Sequence, residues 1–280
     1  MTSENKYYTI AALVKAFSVI DLMAHKARWE LWEIAEAAKM PKGILQRILL
    51  TLCELGYVTQ ESRGGTYSLT LKFFKLGHGI AANNSLVEQG RATCRQLMES
   101  INATVNLCVA LNMDMLVVDQ QVSWQMLRLD SIIGSSFPIF ASASGKVHCA
   151  FLSELELLRF LNTLRSERPS LSPQNIDKFC TELKVVRREG IAFDYEEVFA
   201  GVRCVAAPIF DYMGNIAAAI GCSVTVRITE ESSAQLICEV STAAAKISKI
   251  LGAPPRNFVP TTRTMLHSSS AASNAVHNAG

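Results

Sequence analysis

Apolar residues follow a helical rhythm at the start of the chain and a strand rhythm later, with the change near Ala103. Between Ile10 and Ala24 the apolar positions Leu13, Phe17, Ile20 and Met23 recur at helical spacing. Leu31 to Ala38 reads as a second, short helix. Lys39-Met40-Pro41-Lys42-Gly43 then breaks the chain tightly, with Pro41 suited to the first position of a third helix. That helix runs to about Leu55: Leu45, Ile48, Leu49, Leu52 and Leu55 share one face, Lys42, Gln46, Arg47 and Thr51 the other, and Gly56 closes it. Tyr57–Gln60 and Thr66–Leu69 are β-prone runs on either side of Ser62-Arg63-Gly64-Gly65, which predicts a hairpin. Two short helices joined by a tight turn and followed by a hairpin make a winged helix-turn-helix.

Leu71–Gly77 and Ser85–Ile101 are again helical and read as a linker. Beyond it, Ala103–Leu111, Met115–Gln121 and Met126–Leu129 are β-prone, with Asn112-Met113-Asp114 as a turn. Helices are expected at Ser144–Phe151, Glu154–Leu164 and Ser172–Glu189. Strands follow at Val205–Phe210 and Asn215–Thr225, then a last helix at Glu230–Leu251. Strands at both ends with helices between them predict an α+β domain built on one antiparallel sheet. After Gly252 the chain lacks Lys, Asp and Glu and is rich in Ser, Ala, Asn and Thr, the composition of a disordered tail. The expected division is therefore 1–70, a linker at 71–101, a second domain at 102–252, and a tail at 253–280.

Length and composition agree with two packed domains: 280 residues, 49% hydrophobic and 19% charged, exclude an intrinsically disordered chain. The longest apolar run, Ile216–Val224, is under half of a membrane span, and no basic segment precedes an apolar stretch at the N-terminus. A cytoplasmic protein without membrane contact is expected. Eight cysteines without a C-x-x-C pair, and five histidines that do not cluster near them, argue against a structural zinc site, and no cofactor is expected.

The net charge of +2 is unevenly placed. Residues 1–84 hold ten Lys/Arg against seven Asp/Glu, whereas 85–280 hold seventeen against eighteen. Lys39, Lys42, Arg47, Arg63, Lys72 and Lys75 face only Glu54 and Glu61 between Lys39 and Lys75. A local cationic surface on a helix-turn-helix is the electrostatic footprint of a duplex-binding module. A small helical core with a solvated basic face would show the same charges.

In this order the features resemble the IclR family of bacterial transcription regulators. The resemblance covers nearly all of Ile10–Gly252. In the first domain it rests on Ile34-Ala35-Glu36-Ala37-Ala38, Met40-Pro41-Lys42, Arg47-Ile48-Leu49, Leu52–Val58 and Tyr67-Ser68-Leu69. In the second it rests on Gly134-Ser135, Ser144-Gly145-Lys146, Ile247-Ser248 and Leu251-Gly252, and above all on Asp194-x-Glu196-Glu197-x3-Gly201-x2-Cys204-x-Ala206-x-Pro208. It implies a winged-helix DNA-binding domain, a dimerising linker helix and a GAF/PAS-like effector domain. Such proteins bind pseudo-palindromic operators as homodimers or homotetramers, commonly near catabolic genes, and respond to small organic or aromatic acids.

On the DNA side, the third helix is expected in the major groove. Gln46 suits an adenine edge, Lys42 and Arg47 suit phosphate or guanine, and Arg63 in the wing suits a neighbouring phosphate or the minor groove. Gly43-Ile44 stands where the family has Ser-Thr. A hydroxyl cap is lost there, while Ile44 can meet a thymine methyl. On the sensor side, the family's pocket positions carry over to Ala143, Ser144, Asp194, Val202, Cys204, Gly221 and Ser223. Gly221 in place of a common serine, and Phe140 in place of a histidine, imply a roomier or less polar pocket. Free N–H groups where a loop turns into helix at Ala143–Lys146 suit a carboxylate. Glu196 and Glu197 are expected to brace their loop.

Two other readings use the same residues. Cys204 with Asp194 and a distant His148 could form a thiol hydrolase. Alternatively, the chain could be an architectural DNA-binding protein whose pocket has decayed. Ser144-Gly145-Lys146 is not a phosphate loop: no glycine stands five residues before Gly145, and Val147 replaces the required Ser/Thr.

Overall fold

A computed structural model describes residues 9–62, 64–82, 85–124, 132–225, 230–259, 261, 263 and 265. The chain separates into two compact units, residues 1–83 and 84–280. The segment expected to act as a linker therefore divides between them. Among the described residues no helix is long and apolar enough to cross a membrane.

The first unit contains helices α1 (Ala11–Met23), α2 (Leu31–Ala37) and α3 (Lys42–Glu54), the hairpin β1 (Val58–Gln60) and β2 (Tyr67–Leu69), and α4 (Lys72–Ala82). One face of each helix supplies the core: Val19 and Met23 from α1, Ile34 from α2, Leu45, Leu49 and Leu52 from α3, closed by Val58 and Tyr67 of the hairpin. Glu30 and Glu33 form a capping box that starts α2. Both α2 and α3 end in the same way. Met40 N–H bonds the Ala35 carbonyl and Lys39 N–H that of Glu36, while Tyr57 bonds Leu52 and Gly56 bonds Cys53. These are Schellman ends, which need a left-handed residue just past the helix. Gly56 takes that conformation freely at φ 74°, whereas Lys39 adopts it at φ 49° with a side chain attached. Pro41 precedes α3 as its N-cap with ψ 134°, one position earlier than expected, because Lys42 is the first residue with helical geometry.

The second unit contains α5 (Ser85–Ile101), β3 (Thr104–Leu111), β4 (Asp114–Gln121), β5 (Ser136–Pro138), α6 (Ala143–Ala150), α7 (Glu154–Glu167), α8 (Pro173–Glu189), β6 (Ala192–Tyr195), β7 (Val202–Phe210), β8 (Ile216–Thr225) and α9 (Glu230–Ile250). Its strands form one antiparallel sheet in the order β5-β4-β3-β8-β7-β6. Because strand side chains alternate between faces, the sheet carries two cores. Val105, Leu107, Phe193, Val205, Ala207, Ile209, Ile220 and Cys222 pack beneath α5 and α9. Cys108, Val117, Ala192, Ala206 and Ala219 face α6 and α8. The strand expected at Met126–Leu129 lies outside the described residues.

Part of the expected disordered tail is packed. Phe258 sits against Phe151 and Phe210, with ring centroids 5.8 and 6.4 Å away. Val259 N–H bonds the Arg188 carbonyl, and Met265 is completely buried in the core under α9. The segment is poor in charge but not in anchors, since Phe258, Arg263 and Met265 each find a prepared seat. Residues 266–280 lie outside the described set.

Candidate functional site

Two places bring the predicted residues together, one in each unit. On α3, burial of Leu45, Leu49 and Leu52 turns the opposite side outward. Lys42, Gly43, Ile44, Gln46 and Arg47 are all exposed, across a turn and a half of helix. No side chain caps the helix start, and a Cβ placed on Gly43 would meet nothing. The N–H groups of the first turn thus have no side-chain acceptor. Arg63 lies outside the described residues. Beside the wing, Lys72 Nζ bonds the Leu55 carbonyl at 2.6 Å and lies 4.2 Å from the Tyr57 ring centre, so this cation helps to hold α4 in place.

In the second unit, a small cavity, partly open to solvent, lies between the sheet and the start of α6. The register explains why it exists. Asp194 pairs with Cys204, Cys204 with Ser223, and Ser223 with Thr104, so one row of polar residues crosses four strands. The adjoining row is Ala192, Ala206, Gly221 and Asn106. Of these, Ala206, Gly221 and Asn106 line the cavity, and the two small residues leave its floor shallowly filled. Cys204 Sγ and Ser223 Oγ are 3.3 Å apart, while Gln120 donates to Asn106 Oδ1 at 3.1 Å.

The roof comes from α6. Ser142 is its N-cap and accepts from Gly145 N–H at 3.2 Å. Ala143 and Ser144 therefore stand in the first turn at the cavity wall. Gly145 is required for this approach, because a Cβ there would overlap the Ile139 backbone. The remaining wall is the loop between β6 and β7, where Val198 and Phe199 face the space and Phe199 meets Phe137 of β5 edge-on at 6.0 Å.

Asp194 is only 2% exposed. Burial pushes its carboxyl up to about 7, against the pull of the Glu197 N–H it accepts at 2.7 Å and of the nearby Lys146 charge. Lys146, 1% exposed, donates to the Phe193 carbonyl at 3.0 Å and pairs with Glu197 and with Glu182, the latter at 3.3 Å. Burial disfavours its charge, but the carboxylates more than offset this and hold the ammonium above its ordinary value. Glu196 accepts from Gly201 N–H at 3.0 Å and pairs with Arg203 at 3.4 Å. Both glutamates brace the loop.

Of the predicted wall residues, Ala143, Ser144, Asp194, Cys204, Gly221 and Ser223 line the cavity, and Val202 does not. Val202 pairs with Thr225 at the start of β7, on the Cys204 face but one step past the open space. Sequence reasoning missed Asn106, Cys108, Phe137, Ser142, Val198 and Phe199. Asn106 carried a usable signal, as an amide two residues from Cys108 on the same face of an otherwise apolar strand.

The thiol-hydrolase reading does not fit this geometry. Burial first, and Asp194 second, push the Cys204 thiol far above its ordinary value, and its polar neighbour is Ser223. A thiol held protonated is a poor nucleophile. His148 is not part of the cavity wall, and burial pushes it below its ordinary value.

Comparison with known proteins agrees with both halves. The family model of the IclR helix-turn-helix domain matches residues 12–62, and that of the bacterial transcriptional regulator IclR C-terminal domain matches residues 78–249. The HTH-type transcriptional regulator KdgR of Escherichia coli K12 is 31% identical over 247 residues, 87% of this chain and 94% of that protein. The transcriptional repressor IclR of the same organism is 29% identical over 229 residues, 79% of this chain and 82% of its own. The crystal structure of an IclR transcriptional regulator from Alicyclobacillus acidocaldarius aligns with a TM-score of 0.74 at 23% identity, over 86% of this chain and 99% of that one, which shows a shared fold.

Proposed function

This chain belongs to the IclR family of bacterial transcriptional regulators, which are DNA-binding proteins and not enzymes, and we propose that it represses catabolic genes under the control of a small organic acid. The observation that carries this reading is the cavity. It is bounded by the first turn of α6 at Ala143 and Ser144, by Asp194, Cys204 and Ser223 on a polar row, and by Phe137 and Phe199. The N–H groups and the helix dipole suit a carboxylate, Ser223 and Asn106 suit a hydroxyl or carbonyl, and the phenyl rings suit an apolar or aromatic body. Among the relatives, the name of the E. coli protein IclR supports repression.

On the DNA side, Lys42, Gly43, Ile44, Gln46 and Arg47 form the reading surface; Arg63, outside the described residues, is the further basic residue to test. Specific binding to a pseudo-palindrome needs two such helices. The exposed apolar stripe of Leu13, Val14 and Phe17 on α1, extended by its N-cap Ile10, supports a homodimer or homotetramer, since a monomer would leave it in water. Domain boundaries near residues 70 and 101 and a cytoplasmic location belong to the same reading. Effector and operator affinities are then linked reciprocally.

The test is a gel shift on the duplex upstream of the chain's own gene. Arg47→Ala should weaken binding about 5- to 100-fold, the range for losing one good base or phosphate contact. Unchanged affinity removes α3 from the interface. Ser223→Ala combined with Asp194→Asn should abolish release by any acid that stabilises the native protein in a thermal-shift screen, while leaving duplex binding intact. Normal release by that acid refutes the cavity as its site.

A further inference from the structure

The C-terminal family match ends at residue 249, yet the chain continues as a strap anchored by Phe258, Arg263 and Met265. Its seat is built in. Gly190, at φ 68°, has no side chain where the Phe258 ring lies, and any Cβ there would overlap the ring. What the strap holds is the cavity wall, through two polar routes.

The first route begins at Arg263. Its Nε donates to Glu189 at 3.0 Å, its Nη2 to the Ile191 carbonyl at 2.8 Å, and its guanidinium lies 4.8 Å from the Phe193 ring centre. Ile191 and Phe193 lead directly to Asp194. Arg263 also stands 3.7 Å from Glu182, the carboxylate that pairs with Lys146, and Lys146 pairs in turn with Glu197. Glu197 is fastened to Asp194 through its own N–H. The second route begins at Met265, whose carbonyl accepts from Arg203 Nη1 at 2.6 Å, and Arg203 pairs with Glu196. Both ends of the loop that presents Val198 and Phe199 to the cavity are therefore tied to residues more than sixty positions further along the chain.

We propose that the C-terminal strap, acting through Arg263, positions the β6–β7 loop against the effector cavity and so governs entry to it. This rests on reading the cavity as the effector site. Arg263 touches no wall residue of the polar row and acts as a positioning residue. Its loss leaves Glu189 with Arg188 as its cation and removes one of two cations from Glu182, so Lys146 alone must serve both Glu182 and the loop's Glu197.

Cys204 is a built-in reporter, since its thiol faces the cavity. Cys94, fully buried in α5 on the opposite side of the sheet, is an internal control. Full-length protein would be treated with iodoacetamide at pH 8, and each thiol's alkylation rate followed by peptide mass spectrometry. Arg263→Met, and a variant ending at Gly252, should raise the Cys204 rate about tenfold while Cys94 stays at its wild-type rate, as expected for local opening. Arg263→Lys should fall between wild type and Met. An unchanged Cys204 rate in Arg263→Met overturns the proposal. So does a parallel rise at Cys94, which would make the strap a general staple. The point variant decides if the truncated one does not fold.

Pyruvate and benzoate, at millimolar concentration, serve as probes of the effector reading. If either slows Cys204 alkylation in the wild type while Arg263→Met behaves like the wild type, the effector site stands and the strap proposal falls. If neither protects but Arg263→Met is still faster at Cys204 alone, the strap proposal stands and the choice of acid is wrong.

Discussion

Asp194→Asn should change how stability depends on pH. In the native chain the carboxyl is pushed from its ordinary value of 3.8 up to about 7, chiefly because burial disfavours its charge. Below pH 4 the carboxyl is protonated whether the chain is folded or not, and the site has no titration penalty. As pH rises from about 4 to 7 the unfolded chain releases that proton while the native chain retains it, so folding stability falls. Above 7 both states are ionised and the loss is complete. With about 1.4 kcal/mol for each tenfold difference in proton affinity, the loss is on the order of 4 kcal/mol. Asparagine keeps an oxygen for the Glu197 N–H and removes the titration. The variant should therefore gain on the wild type with rising pH, from near parity at pH 4 to a few kcal/mol by pH 8. The assay is urea unfolding of both proteins at half-unit pH steps, with the same slope required in each. A difference in stability that does not vary between pH 5 and 8 would refute the argument that burial outweighs the polar partners of Asp194.

Other substitutions test the frame around the cavity. Gly145→Ala places a methyl group into the Ile139 backbone and should cost at least about 3 kcal/mol in chemical denaturation, because backbone cannot step aside as a flexible side chain can. Lys146→Met strips the shared cation from Glu182 and Glu197. Each carboxylate keeps some solvent, so the loss should be about 2 kcal/mol rather than the 3–5 of a fully buried pair, read as a drop in melting temperature at pH 7. Gly43→Ala, where a Cβ meets nothing on an exposed helix, should stabilise the first unit by about 0.5–1 kcal/mol, and a lower melting temperature would contradict the helical backbone assigned there.

Much of the fold was legible because long elements advertise their period. The heptad-like spacing of Leu45, Leu49 and Leu52 identified α3 and its outward face, and Gly56 marked its end. Short elements were not legible. Strands β5 and β6 have three and four residues, too few to show alternation, and β6 follows α8 after Gly190 with hardly a break. The cavity was legible only in part for a related reason. The Asp194-to-Pro208 string indicated β6, its loop and β7, but the wall also draws on β3 and β5, which the chain separates by many residues and only the sheet register brings together. Val202 shows the limit in reverse, since correct parity on a strand does not say where along the strand the open space ends. The sequence ruled out a phosphate loop at Lys146 but could not name its partners, Glu182 and Glu197, which are set by tertiary packing alone. The strap was misread because composition registers missing charges and is blind to three well-seated side chains.

With the cavity as effector site, its occupancy should change the grip of α3 on DNA. This is tested most directly by fluorescence anisotropy of the upstream duplex at fixed salt, titrated with the full chain in the presence and absence of an acid that raises its melting temperature. Duplex affinity should shift by about 5- to 150-fold, the usual range of such coupling, and the shift should disappear in the Ser223→Ala, Asp194→Asn variant. An acid that stabilises the wild type through this cavity yet leaves its duplex affinity unchanged would contradict this coupling.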